Sequence, residues 1–154
     1  MSGKSCFFIG HRDTPEKIFP VLLKTVEQHI VEYGVTDFFV GCYGAFDRFA
    51  ARTVIAAKER HPEVTLTLLL PYHPVERAIK TPVGFDKSYY PPEMETVPRR
   101  FAIVRANRYM VDHVDYLIAY ACHPASNALE LVKYVEKMRK GSIRVTNLGF
   151  YRGD

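Results

Sequence analysis

The stretch FVGCYGAFDRFAAR, residues 39–52, decides the fold. An apolar run ends on Gly41 and Gly44, and with no spacer an acid, two arginines and several alanines follow at helical spacing. So abrupt a passage from strand to helix is the joint of an α/β sheet whose helices cross over between parallel strands. Glycines at the joint let other backbone, or a phosphate, approach closely. The start of the helix exposes N–H groups that an anion can satisfy. Asp47, in the first turn, is favourable against the helix dipole even with no ligand present.

Outward from this joint, short apolar runs alternate with amphipathic stretches. CFFIG (6–10), DFFVG (37–41), VTLTLLLP (64–71), DYLIAY (115–120) and IRVTNL (143–148) read as strands. Residues 15–33 read as a helix on Ile18, Leu22, Val26 and Ile30, with Asp13 or Thr14 as its cap, Pro15 in its first turn and Gly34 as its end. Further helices are expected over 45–60, 98–114 and 126–140, the last closed by Gly141. Between them, residues 72–97 hold Pro74, Pro82, Pro91 and Pro92 and read as an irregular lid or rim, since an irregular stretch of that length inside a domain is usually functional or mobile. The strands are apolar on both alternations, as in a parallel sheet covered on both faces. The expectation is a single Rossmann-like three-layer α/β domain over 1–154, with about five mostly parallel strands.

The chain has 154 residues, a formal net charge of +4 and three cysteines with no CxxC pair. That composition fits reduced thiols in the cytoplasm. No segment has the length of a membrane span or the shape of a signal peptide. Apart from Arg99, Arg100, Arg105 and Arg108 the basic residues are scattered, which fits a local anion site better than a nucleic-acid stripe.

Ligands of such sheets bind at the carboxyl ends of the strands. Gly10-His11-Arg12 follows the first strand, and Gly41-Cys42-Tyr43-Gly44 the second. Tyr72-His73 comes after the third, and Cys122-His123 with Ser126-Asn127 after the fourth. Glycine-lined strand ends leading into helices suit phosphate. Arg12 and Arg48 supply planar donor forks, Asp47 an acceptor for ribose hydroxyls, and tyrosines of the irregular segment a cover for a base. Each residue also has a plainer reading: glycines permit turns, Glu130 three residues after Asn127 has capping-box spacing, and Arg105, Arg108 and Asp112 share a solvated helix face. Imidazoles and thiols gather at the same edge, but no pair has the spacing of known zinc motifs, so no metal site is expected.

FFIGHRDT, VGCYGAFDRFAAR, LLLPYHP, YYPPEMETVPRRFAIVRANRYMVDHVDYLIAY and VTNL, in this order, resemble the small uncharacterised GHR-motif (YpsA-like) proteins of the SLOG superfamily, which joins Smf/DprA to the LOG phosphoribohydrolases. Gly10-His11-Arg12 is similar to the glycine-polar-arginine turn of the DprA-like branch, and Gly44-Ala45-Phe46-Asp47 to its Gly-Ile-Asp turn. The resemblance implies a Rossmann-like fold that binds a nucleotide or nucleotide-derived ligand at the strand ends, often as a homodimer. It assigns no catalytic residue and no certain cofactor.

The glycine-rich loop of the LOG enzymes is replaced here by residues 121–130, with Glu130 as the nearest counterpart of their acid and Arg105 or Arg108 of their arginine. Binding or sensing is therefore the first expectation. Nucleoside 5'-monophosphate phosphoribohydrolase and DNA-associated module are the alternatives, with little or no base release expected from nucleotides.

Overall fold

The structure, a computed structural model, describes residues 3–75 and 80–150. The strands are β1 (Lys4–Gly10), β2 (Val35–Val40), β3 (Thr65–Leu69), β4 (Lys87–Tyr89), β5 (Tyr116–Tyr120) and β6 (Arg144–Asn147). The helices are α1 (Ile18–Val31), α2 (Ala45–Lys58), α3 (Ala102–His113) and α4 (Asn127–Met138). All strand pairs are parallel, in the order β4-β3-β2-β1-β5-β6. This is the α/β Rossmann-like architecture that the alternation of strands and helices predicts.

Side-chain alternation along β1 separates two cores. Cys6 and Phe8 face α1 and α2 and pack with Leu22, Val26, Phe46 and Val54, while Phe7 faces α3 and α4 and packs with Ala106, Met110 and Val132. Phe8 is fully buried between Phe38, stacked at 5.8 Å, and Phe46, tilted at 6.4 Å. Burial of one such ring contributes roughly 2–3 kcal/mol. Cys6 lies in the same apolar layer, and burial pushes its thiol well above the ordinary range. Among the described residues no helix is long and apolar enough to cross a membrane.

Three expectations change. The segment 72–97 is not irregular throughout: Lys87–Tyr89 forms edge strand β4, whose Tyr89 carbonyl accepts the Leu70 N–H at 2.8 Å. The Asp86 carboxylate beside it accepts the Leu66 N–H at 2.8 Å and pairs with Lys58 at 2.6 Å. Of the expected lid or rim over 72–97, residues 76–79 lie outside the described residues. Helix α1 begins at Ile18 without a side-chain cap, because Thr14 instead donates to the His11 carbonyl at 2.7 Å and closes that turn. In α4 the cap is Ser126, whose Oγ accepts the Leu129 N–H at 3.1 Å, one residue earlier than the Asn127–Glu130 spacing implies. Gly34 ends α1's neighbourhood at φ 74°, as expected of a glycine terminator.

Candidate functional site

The strand order reverses direction at β1, with β2 on one side and β5 on the other. Crevices open at such a switch point, beyond the carboxyl ends of the strands. A cavity of about 350 Å³ lies there. Its floor is Phe7–Gly10 of β1, and His11, Arg12, Gly41, Tyr43, Gly44 and Asp47 line it from the two glycine turns. Helix α3 and the turn before it add Arg100, Ile103, Val104 and Asn107, and the start of α4 adds Ser126, Asn127 and Ala128.

The turn into α2 is a packing device first. A Cβ on Gly44 would lie 2.6 Å from Arg12 Cα, and one on Gly10 would lie 2.3 Å from the Phe46 ring. The absence of those two side chains lets the β1 and β2 turns touch. The Ala45 N–H donates to the Arg12 carbonyl at 2.8 Å and the Phe46 N–H to that of His11 at 3.4 Å. Two of the donors exposed at the start of α2 are thereby spent on protein. Asp47 folds back on its own turn, its Oδ2 accepting the Tyr43 N–H at 3.0 Å. Burial pushes the Asp47 carboxyl up to about 6; the Tyr43 hydrogen bond and the charge of Arg48 pull the other way but are smaller.

The β5–α4 loop is held from both sides. Asn147 of β6 clasps Ala121, accepting its N–H and donating to its carbonyl, each at 3.0 Å. From the other side His11 Nε2 accepts the N–H of Cys122 at 3.0 Å and of His123 at 3.3 Å. That ring is buried and neutral in this role: burial and the nearby His123 lower its pKa, with Asp13 opposing. At the start of α4 the Leu129 N–H is taken by Ser126, whereas those of Asn127 and Ala128 have no partner among the described residues. Among the described residues the orphan donors at the two helix starts are thus the N–H groups of Asn127 and Ala128 on α4, against that of Asp47 alone on α2.

No family model and no curated protein matches the chain. Solved structures do. DNA processing protein A from Helicobacter pylori, described for its single-stranded DNA binding mode, aligns with a TM-score of 0.60 at 15% identity, covering 89% of this chain and 62% of that one. DprA from Streptococcus pneumoniae aligns with a TM-score of 0.61 at 13% identity, covering 95% and 59%.

The fold is DprA-like. The chain spans about three fifths of the length of each of these neighbours.

Within this DprA-like fold the residues expected from sequence divide. Gly10, His11, Arg12, Gly41, Tyr43, Gly44, Asp47, Ser126 and Asn127 meet at the one cavity. Arg48, exposed on α2, is not part of its lining, and His123 lies beside it with its ring 4.1 Å from that of His11. Tyr72 and His73 line a separate hollow of about 110 Å³ with Tyr90, Met94 and Arg99, where the Arg99 guanidinium lies over the Tyr72 ring. Arg105 and Arg108 border another hollow, and Arg108 lies 4.2 Å over the Tyr134 ring. Glu130 is 66% exposed and is not part of the cavity lining.

Sequence reasoning singled out Arg100 only as one of four clustered arginines, without placing it at the strand ends, and missed Ile103, Val104 and Asn107. The signal is their spacing of three, four and seven residues from Arg100, one helical face; charge alone directs attention to Arg105 and Arg108 on the adjoining face.

His11, Cys122 and His123 each bring a ligand atom within 4.8 Å of the others, a trio with the chemistry of a zinc site. The hydrogen bonds argue against it. With Nε2 accepting two amide donors, the proton of a neutral His11 sits on Nδ1, and the ring has no lone pair left for a metal. His11 is a clasp between loops.

Proposed function

We propose that the cavity binds a nucleotide or nucleotide-derived ligand, as a binding or sensing domain with no catalytic role assigned. The observation that carries this reading is the meeting, in one cavity, of Arg12, the Asp47 carboxylate and the two unpartnered N–H groups of α4. Phosphate suits the α4 amides and Arg12, and ribose hydroxyls suit Asp47. The GHR-type motifs favour the small GHR-motif branch of the superfamily, with a homodimer as its assembly.

A second reading, a DNA-associated module, draws on the Helicobacter pylori neighbour and its single-stranded DNA binding. Nucleotide hydrolysis ranks behind both, because Glu130 stands outside the cavity.

The test is thermal unfolding of the purified protein with AMP, GMP, CMP, UMP and a short oligothymidylate. A mononucleotide should raise Tm, as a ligand that binds only the native state must, and Arg12→Ala should cut that rise by more than half. A rise with the oligonucleotide alone favours the DNA module; no rise with any mononucleotide sinks the leading reading.

A further inference from the structure

We infer that Asn107 reads the base of the ligand and that the base is adenine. This rests on the nucleotide reading of the cavity and deepens it. Arg100, Ile103, Val104 and Asn107 form the wall that α3 and its preceding turn give to the cavity. Asn107 is half-buried there, and its amide makes no hydrogen bond among the described residues. An amide that lines a cavity with neither its donor nor its acceptor committed to protein can give both to a ligand, and a base that meets both replaces the water there without loss.

Beside it, Ile103 and Val104 offer two β-branched side chains, stiff at χ1, for a planar ring to lie against. Arg100, in the 3-10 turn that precedes α3, lines the same cavity and adds a second guanidinium to that of Arg12 for the phosphate. The cavity volume of about 350 Å³ falls at the small end of the range for ligand sites, which suits a mononucleotide.

Adenine is the base whose edge an amide completes. It presents an amino donor next to a ring-nitrogen acceptor, and asparagine meets both at once. Guanine presents two donors in a row on its Watson–Crick edge beside one acceptor, so an amide leaves one of its groups unmet. A carboxylate in the same place reverses the preference, because it accepts from two donors and offers none.

The test is calorimetric titration of the wild type, Asn107→Ala and Asn107→Asp with AMP, GMP and ribose 5-phosphate. The wild type should bind AMP between about fivefold and a hundredfold more tightly than GMP. Asn107→Ala should erase that difference and bring AMP close to ribose 5-phosphate, and Asn107→Asp, nearly the same shape, should favour GMP. An AMP preference that survives both substitutions overturns the assignment, as does a wild type that binds AMP, GMP and ribose 5-phosphate equally, although that result keeps the phosphate site. If none of the three binds, the nucleotide reading itself falls.

Discussion

Asp47 is an acid held at a cost to the fold. Burial raises its carboxyl from 3.8 to about 6, so the native state keeps this proton over a range in which the unfolded chain has released it. Between those values stability falls as pH rises, and above about pH 6 the loss is complete. At about 1.4 kcal/mol per unit the upper bound of that loss is about 3 kcal/mol. Asp47→Asn keeps an oxygen for the Tyr43 N–H and has no charge to bury. It should be more stable than the wild type at pH 7.5 and nearly equal at pH 3.5, while weakening nucleotide binding; urea denaturation at the two pH values reads the difference. A wild-type advantage at pH 7.5 would contradict the burial argument. Sequence displays this acid on the first turn of a helix. It does not display the burial, which arises where the 41–44 turn folds over the carboxylate.

The turns carry the site, and their glycines differ in kind. Gly34 has φ 74° with nothing within 4 Å of an added Cβ, so Gly34→Ala should cost only about 1 kcal/mol, the price of a left-handed alanine. Gly44 has extended backbone, but a Cβ there meets the Arg12 backbone. Gly44→Ala should therefore cost about 1–3 kcal/mol and also displace Arg12, lowering both the denaturation midpoint and the nucleotide-induced shift. Equal losses in the two variants would show that the turns do not bear on one another.

Elements with their own pattern were legible in the sequence: β1, β2, β3, β5 and β6 are apolar runs, and α2 and α4 show their amphipathic period. Strand β4 was not, because Lys87-Ser88-Tyr89 has no apolar alternation and becomes a strand only through its pairing with β3. The α3 wall was hidden for another reason. Its lining depends on which helical face the sheet leaves uncovered, and neighbouring arginines carry the louder chemical signal.

At the scale of the molecule, the cavity draws its walls from both sides of the sheet. Asp47 comes from α2 on one face, and Ile103, Asn107 and Ala128 come from α3 and α4 on the other. Both faces were foreseeable from strands apolar on each alternation, but the depth of the crevice between them depends on loop geometry that periodicity does not encode. A ligand that touches all these walls ties two separately packed layers together across the end of the sheet. Saturating AMP should slow hydrogen exchange over 44–48 and over 100–107 together; protection confined to one stretch would contradict this geometry. Under the nucleotide reading such a ligand would be a tie bar between the α1–α2 and α3–α4 layers, and its occupancy would be felt as slower opening of both at once.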